Sequence, residues 1–198
     1  MRSSDIDKDP SNGWEAIAEE FFVVRNQIIG AKTVQQWAKY FKPGQEILDV
    51  GCGFGGSYTD DIIDRGIKIY AIDASLSSVH EYRKRYPDSL AECEAAEESS
   101  FFGKAFDGVL SVGLVFLLTK KTQIKVLQKM AAALNVGGSL LFSAPYQICD
   151  WDDRLTGRRS LSLGRDEYVG ILQARGLRLV NEYTDEGKSH YFEFRKNG

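Results

Sequence analysis

The stretch Ile47-Leu48-Asp49-Val50-Gly51-Cys52-Gly53-Phe54-Gly55-Gly56 decides the fold of this chain. Its first four residues are predicted to form a buried strand, since aliphatic and β-branched side chains suit a strand that is covered on both faces. The glycines that follow permit a tight turn, and because they lack Cβ atoms a ligand can lie directly against the backbone. Ser57 is predicted to cap a helix whose N–H groups point back at the turn. Strand, glycine turn and helix together indicate the first unit of a nucleotide-binding α/β sheet.

Three kinds of ligand site use such a turn. A phosphate-binding P-loop has the spacing of Gly51 and Gly56, but it requires Lys and then Ser or Thr where this chain has residues 57–58, Ser-Tyr, so that interpretation fails. A dinucleotide site requires Gly-x-Gly-x-x-Gly, which Gly51, Gly53 and Gly56 satisfy. The third interpretation adds Asp49, two residues before the first glycine and at the carboxyl end of the strand. A carboxylate at that position suits a cationic amino-acid ligand better than a pyrophosphate.

The pattern Asp49-x-Gly51-x-Gly53-x-Gly55 resembles motif I of the class I S-adenosylmethionine-dependent methyltransferases. A second segment, Phe106-Asp107-Gly108-Val109-Leu110-Ser111, is similar to the fourth strand of that family. The resemblance covers roughly residues 14–195 and implies an α/β fold, a Rossmann-like seven-stranded mixed sheet of order 3-2-1-4-5-7-6 with strand 7 antiparallel and helices on both faces. It also implies S-adenosyl-L-methionine as cofactor, with the methionine part held by Asp49, Gly51, Cys52, Gly53 and Gly55.

Composition limits the classes of partner. With 198 residues, 43% of them hydrophobic, the chain is expected to form one domain, residues 1–198, with a sizeable core. Its 25 basic and 28 acidic residues give a net charge of −3, which disfavours nucleic-acid and anionic-membrane partners. Cys52, Cys93 and Cys149 form no CxxC pair, so no metal site is predicted and the thiols fit a reducing compartment. No apolar run approaches membrane-spanning length, and we expect a cytoplasmic protein.

The N-terminal region is predicted to be helical from Trp14 onward. Residues 1–13 are polar and are expected to be frayed. Apolar residues at helical spacing predict one helix that ends at Gly30 and a second that ends before the turn at residues 42–44.

Segment 14–41 has two interpretations. Its aromatic residues Trp14 and Phe21 either pack in the core or face a ligand from a helical lid. The lid interpretation places Arg25 near the methionine carboxylate of the cofactor.

A second strand, residues 67–72, leads into Asp73 one helix and one strand after the glycine turn. A carboxylate at this strand end accepts hydrogen bonds from both ribose hydroxyls in dinucleotide sites. The resemblance implies the same role for Asp73, with Ala74 beside it. Capping of the next helix, predicted over residues 75–86, by Asp73 or Ser75 is the structural alternative.

An acidic loop after the third strand is placed against adenine by the resemblance. In the family an acid of this loop meets the adenine amine, and the N–H of the next residue meets the ring. Ala95 stands where the family usually has that acid, so either Glu94 or Glu97 would supply the carboxylate. The apolar run 113–118 after the fourth strand offers no general base. The predicted adenine site also includes Ala96, Val112 and Leu114.

The segment 145–163 forms a long predicted connection. It follows a predicted turn at residues 135–138 and a strand at residues 139–144, and it leaves the carboxyl end of that strand. Connections of this length are commonly functional, and the resemblance implies contact with the methyl acceptor. The alternative is a solvated loop whose arginines pair with its own acidic residues. Its candidate acceptor contacts are Tyr146, Trp151, Arg154, Arg158 and Arg159.

A predicted hairpin, residues 177–184 and 190–195, closes the chain after a helix at residues 165–175. Because the seventh strand runs antiparallel in the methyltransferase fold, this hairpin reaches the edge of the sheet that carries the glycine turn. His190 therefore either faces the acceptor, as the candidate catalytic residue, or has a structural role. The standard dinucleotide-binding fold has no such ending.

The sequence therefore predicts S-adenosylmethionine-dependent methyl transfer to an unidentified small-molecule acceptor, at a site walled by the N-terminal helix, segment 145–163 and the hairpin. No Asn/Asp-Pro-Pro-Tyr/Phe motif follows the fourth strand, which argues against methylation of amino groups on DNA bases. Two alternatives stay open. An NAD(P)-dependent oxidoreductase shares the glycines and Asp73 but does not explain Asp49 or the hairpin, and a non-catalytic S-adenosylmethionine-binding protein needs no acceptor. No pattern predicts an oligomeric state.

Overall fold

A seven-stranded mixed sheet organises the chain, whose computed structural model describes residues 9–24 and 29–198. The strands within these residues are β1 Glu46–Val50, β2 Lys68–Asp73, β3 Leu90–Cys93, β4 Phe106–Ser111, β5 Leu134–Ser143, β6 Cys149–Asp152, β7 Arg159–Ser162, β8 Leu177–Thr184 and β9 His190–Lys196. The large sheet has the order β3-β2-β1-β4-β5-β9-β8, and β6 pairs with β7. Strand β9 runs antiparallel to both of its neighbours, whereas β1 to β5 are parallel. The predicted order 3-2-1-4-5-7-6 is confirmed, with β8 and β9 as the sixth and seventh predicted strands.

Helices cover both faces of the sheet, as predicted. They are α1 Ala18–Val24, α2 Ala31–Ala38, α3 Ser57–Asp64, α4 Leu76–Arg85, α5 Lys120–Ala132 and α6 Arg165–Gln173, with short 3-10 turns at Glu15–Ile17, Phe101–Gly103 and Val115–Leu117. Helices α2, α3 and α4 pack on one face, and α5 and α6 pack on the other. Because both faces are covered, β1 and β4 are apolar along most of their length rather than alternating.

Helix α2 lies in the core and is not part of a lid. The side chain of Trp37 is 0% exposed, and its Nε1 donates a hydrogen bond of 2.8 Å to Ser139 Oγ in β5. Gly108 of β4 makes this packing possible, since a Cβ there would lie 2.7 Å from the Phe41 ring. Replacing such a buried tryptophan by alanine costs about 3–5 kcal/mol. The lid prediction is therefore wrong for the part of segment 14–41 that follows Gly30.

Two local predictions differ from the structure. Residues 9–13, predicted to be frayed, form a turn in which the Asp9 carboxylate accepts two backbone hydrogen bonds; the fraying predicted for residues 1–8 lies outside the described residues. Gly30 precedes α2 with a φ of 78°, and the residues between Val24 and Ile29, which decide whether it also ends the first helix, lie outside the described ones. Ser57 is the first residue of α3, and Gly56 takes the cap position without a side-chain bond.

The C-terminal half contains more strand than predicted. The predicted turn at residues 135–138 belongs to β5, because Asn135 Nδ2 bonds Asp107 Oδ1 at 3.3 Å and the strand continues through a bulge opposite β4. The long connection 145–163 contains the β6–β7 hairpin. Helix α6 and the hairpin of β8 and β9 form where they were predicted.

Across the described ranges, no helix combines the length and apolarity needed to cross a membrane. Nor do those ranges bring three His, Cys, Asp or Glu side chains together as a potential metal site.

Candidate functional site

A cleft of about 570 Å³ opens along the carboxyl ends of the parallel strands. That volume lies within the range of small-molecule sites, roughly 300–1,000 Å³. The cleft begins at the acidic loop after β3, crosses the ends of β2, β1, β4 and β5, and reaches the loop between β8 and β9. At ~4.8 Å between strands, the distance from β3 to β9 is roughly 24 Å.

Gly51 and Gly53 form the floor of the cleft at the end of β1. Gly51 has a φ of 81°, and a Cβ there would lie 2.9 Å from Leu114 Cβ, so a larger residue fits neither the backbone nor the space. The N–H of Gly53 donates to Asp73 Oδ2 at 2.8 Å. Bare backbone thus faces the cleft at these two predicted positions.

Three other residues of the motif lie behind the turn. Asp49 is 1% exposed and Cys52 is 0% exposed, and neither lines the cleft. Tyr58 Oη donates to Asp49 Oδ2 at 3.5 Å. Gly55 faces the Tyr86 ring instead of the cleft. Direct ligand contact by Asp49, Cys52 or Gly55 is therefore not supported by the shape of the cleft, and these residues support the turn from behind.

Asp73 connects the glycine turn to helix α4. While its Oδ2 accepts from Gly53, its Oδ1 accepts from the N–H of Ser75 at 2.8 Å. Ser75 Oγ, not Asp73, caps α4 by accepting from the N–H of Ser78. Asp73 lines the cleft with Ala74, and since a carboxylate accepts about four hydrogen bonds, ribose hydroxyls can be accommodated as well.

The acidic loop forms the far end of the cleft. Glu94, Ala96 and Glu97 line it, together with Val112 and Leu114 from the end of β4, whereas Ala95 does not. Both acids flank the cleft, so the choice between Glu94 and Glu97 stays open.

Lys129 of α5 holds this loop in place, a role that the sequence did not reveal. Its Nζ donates to the carbonyls of Ala96, Glu97 and Ser99 at 2.9, 2.8 and 2.6 Å. Burial lowers the pKa of the Lys129 ammonium. A basic residue on the sheet-facing side of a helix was the only sequence feature that could have indicated this contact.

The N-terminal segment 9–24 lies along the mouth of the cleft. Trp14 and Phe21 line the cleft, and their rings meet edge to face with centroids 4.8 Å apart. Glu15 anchors the segment by accepting hydrogen bonds from Ser75 Oγ at 2.6 Å and Ser77 Oγ at 2.7 Å. Asn12 Nδ2 donates to the carbonyl of Leu117 on the other side. The predicted contact of Arg25 lies outside the described residues.

Four predicted acceptor residues do not line the cleft: Tyr146, Trp151, Arg154 and His190. His190 bonds Glu182 Oε1 at 3.2 Å and packs against Tyr146, on the face of the sheet that α6 covers. Trp151 packs its ring on Phe116, which does line the cleft. Arg154 is exposed.

The other arginines of segment 145–163 are engaged in ion pairs. Arg158 pairs with Asp9 at 3.6 Å, and Arg159 pairs with Asp150 and, at 3.7 Å, with Asp152. The solvated-loop alternative is correct for Arg159. Among the described residues that line the cleft, none is Lys, Arg or His.

Tyr191, Asp185 and Ser189 occupy the end of the cleft where His190 was expected. Successive side chains of a strand point to opposite faces, so an error of one position in β9 exchanges His190 for Tyr191. The alternation of β9 was the sequence feature that could have identified Tyr191. No comparable sequence feature indicated that Asp185, a loop residue, lines the cleft.

Together these features define a Rossmann-like α/β protein with a site for an adenosine-type cofactor at the carboxyl edge of its sheet. Residues 47–138 match the family model described as a methyltransferase domain. Demethylmenaquinone methyltransferase from Renibacterium salmoninarum is 28% identical over 158 residues, covering 73% of this chain and 65% of that protein. Carboxy-S-adenosyl-L-methionine synthase from Enterobacter sp. is 25% identical, covering 81% of this chain and 70% of that protein. The chain thus spans about two thirds of the length of these relatives.

A solved structure shows the same fold. The 1,6-didemethyltoxoflavin-N1-methyltransferase of Burkholderia thailandensis, bound to 1,6-didemethyltoxoflavin and S-adenosylhomocysteine, has a TM-score of 0.73 at 17% identity, covering 93% of this chain and 84% of that one. The family model, the curated relatives and this shared fold together indicate a class I S-adenosylmethionine-dependent methyltransferase.

The residues of the cleft fit the cofactor of this family. Gly51, which has no room for a Cβ, and Gly53, with a φ of 55°, leave backbone exposed at the end of β1, where the methionine part is expected. Asp73 presents a carboxylate one strand away, and the acidic loop lies one strand further. This order of groups matches methionine, ribose and adenine laid along the sheet edge.

Proposed function

We propose that the protein transfers the methyl group of S-adenosylmethionine to a small-molecule acceptor. The observation that carries this proposal is the length of the cleft. The cofactor groups account for the ends of β3, β2, β1 and β4, but the cleft continues to β5 and β9. This remaining part of the cleft, at the ends of β5 and β9, is where a small molecule would bind beside the methionine part.

When bound, the cofactor supplies a methyl group activated by a positively charged sulfur. The chain's own residues bind the reactants and orient them. The Gly51 and Gly53 backbone holds the methionine part with support from Asp49, Asp73 holds the ribose, and Glu94 or Glu97 meets the adenine amine.

Segment 9–24 acts as the lid. It excludes water from the space in which acceptor and methyl group meet, and alignment of the two reactants provides most of the acceleration such a reaction needs.

Two measurements test the proposal. Calorimetry is expected to show S-adenosylhomocysteine binding, weakened by about 10- to 150-fold in Asp73→Ala, because hydrogen bonds to a charged group contribute about 1.5–3 kcal/mol. Incubation with methyl-labelled S-adenosylmethionine and a library of small molecules is expected to label a product.

Three outcomes contradict parts of this proposal. Absence of S-adenosylhomocysteine binding by the folded wild type overturns it. Binding without transfer to any acceptor supports the non-catalytic alternative. An unchanged affinity in a folded Asp73→Ala variant restricts Asp73 to joining the glycine turn and α4.

A further inference from the structure

We infer that Asp185 is the general base of the transfer and that the acceptor is a neutral, largely apolar aromatic molecule carrying an ionisable hydroxyl, of which a phenol is the simplest example. This inference rests on the proposed function and names the acceptor chemistry of the same cleft. The run 113–118 after β4 is apolar and offers no base, and His190, the catalytic candidate from the sequence, does not line the cleft.

Position places Asp185 at the acceptor end. Tyr191 is paired with Ser143 at the end of β5, and both line the cleft. Strand β9 is three strands from β1, which is roughly 14 Å at ~4.8 Å per strand. Asp185 is thus beyond the methionine part and on the side away from the ribose and adenine groups.

A defined set of contacts holds the Asp185 carboxylate. Tyr191 Oη donates to its Oδ2 at 2.9 Å, and the N–H of Ser189 donates to its Oδ1 at 2.8 Å. Gly30 allows this arrangement, because a Cβ there would overlap the Tyr191 hydroxyl and lie 3.3 Å from Asp185 Oδ2. Asp185 is 8% exposed and Tyr191 is 1% exposed. The carboxylate is therefore fixed at the wall of the cleft with capacity for further hydrogen bonds.

The surroundings of Asp185 select the acceptor. Among the described residues that line the cleft, Asp185 is the one acid at this end, and the others, Asp73, Glu94 and Glu97, lie at the cofactor end. No described cation lines the cleft to bind a carboxylate or phosphate. The nearby charged groups point elsewhere, since Glu186 of the same loop pairs with Lys32 of α2 at 3.4 Å on the exposed surface.

Apolar side chains line the same cleft as Asp185. They include Phe21, Phe116 and Leu155. Phe21 also lies 6.0 Å from the Phe54 ring. A flat aromatic body fits such walls because ring edges and faces pack favourably at 4.5–7 Å. A carboxylate in a cleft that these rings line favours an acceptor molecule with a hydroxyl turned towards that carboxylate.

The proposed step is balanced in atoms and charge. The hydroxyl oxygen forms a bond to the methyl carbon while the carbon–sulfur bond breaks, and that electron pair neutralises the sulfonium. The hydroxyl proton passes to the Asp185 carboxylate. Tyr191 positions this carboxylate by donating its own hydrogen bond. General-base catalysis of this kind contributes about 10²- to 10⁴-fold.

Asp185→Asn tests the inference, because the amide keeps the size and one acceptor oxygen but cannot take a proton. With phenol as acceptor, kcat is expected to fall by at least about 100-fold with little change in KM. With 4-nitrophenol, at a pH where this more acidic probe is already ionised, kcat is expected to change little. Calorimetry with S-adenosylhomocysteine verifies that the variant keeps its fold and cofactor site.

A spectroscopic readout is independent of turnover. The absorbance of 4-nitrophenol reports its ionisation. The probe is titrated with pH while it is bound to the complex of the protein with S-adenosylhomocysteine. In the wild type the neighbouring carboxylate is expected to raise the pKa of the bound probe above its value in water, because like charges disfavour a second ionisation. Asp185→Asn is expected to lose this shift. Tyr191→Phe leaves Asp185 in place and is expected to retain the pKa shift of the probe, with a smaller loss of kcat than Asp185→Asn.

Three results overturn the inference. Equal losses of kcat for phenol and 4-nitrophenol in Asp185→Asn show a structural role for Asp185. Identical titrations of the bound probe in both proteins show that Asp185 does not face the acceptor. No turnover of either phenol by a wild type that binds S-adenosylhomocysteine excludes the acceptor class while the proposed function stands.

Discussion

Gly55 illustrates how a residue of a ligand motif can serve packing. Its φ is 77°, and a Cβ there would overlap the Tyr86 ring. We expect Gly55→Ala to lower the free energy of unfolding by about 1–3 kcal/mol, because overpacking forces neighbouring groups to shift. Denaturant unfolding measures this. Tyr86→Leu in the same chain is expected to recover part of the loss by opening the space.

A matched control for this prediction is Gly170→Ala in α6. Gly170 is exposed, and a Cβ there meets nothing within 4 Å. This change is expected to stabilise the protein by about 0.4–1 kcal/mol, because alanine has less conformational freedom in the unfolded chain. Equal effects of the two substitutions would show that Tyr86 does not restrict Gly55.

The anchoring of segment 9–24 can be tested at Glu15. We expect Glu15→Gln to increase amide hydrogen exchange throughout this segment at neutral pH, since a neutral amide accepts weaker hydrogen bonds from Ser75 and Ser77. Glu20→Gln, on an exposed position of α1, is the matched control and is expected to leave exchange unchanged. Equal protection in the wild type and Glu15→Gln would show that the other contacts of the segment, among them the Asn12–Leu117 hydrogen bond, are enough to hold it.

The same contact predicts a dependence on pH. Partial burial opposes ionisation of Glu15, but the hydrogen bonds from Ser75 and Ser77 outweigh it and lower the pKa of its carboxyl below the usual 4.5. A carboxyl with a lowered pKa stabilises the folded state above its unfolded pKa and loses that effect as the pH falls through the lowered value. The difference in exchange between the wild type and Glu15→Gln is therefore expected above pH 4.5 and should disappear in more acidic solution.

At the scale of the whole molecule, ligand binding is expected to raise stability by mass action. S-adenosylhomocysteine at 100 times its Kd should stabilise the folded state by about 2.7 kcal/mol, while NAD should have no effect. The physical reason is the order of groups along the sheet edge. A dinucleotide would bring its second phosphate to the glycine turn, and this turn has the Asp49 carboxylate behind it. Thermal unfolding with each ligand measures the difference. Stabilisation by NAD alone would favour the oxidoreductase alternative.

The sequence by itself determined the sheet and the cofactor half of the site. Motif I, Asp73 and the acidic loop are local patterns, each tied to the end of one strand, and parallel strands bring their carboxyl ends to one edge whatever the rest of the chain does. The terminal hairpin could likewise be predicted from two strand patterns and the short polar turn between them. These features require only short-range chemistry, so the positions of Gly51, Gly53 and Asp73 could be predicted from the residues, whereas the strand order was implied by the family resemblance.

Only the tertiary structure decided which residues line the cleft at the ends of β5 and β9. Which side chain of β9 faces the cleft depends on pleat and register, so Tyr191 rather than His190 lies there. Trp37 packs in the core and Trp14 lines the cleft, although both show the same helical spacing. The difference depends on how each segment meets the sheet. Asp185 lines the cleft beside Tyr191 of the same hairpin, and this arrangement also depends on Gly30, which is far away in the chain. Such long-range contacts leave no periodic pattern in a single sequence.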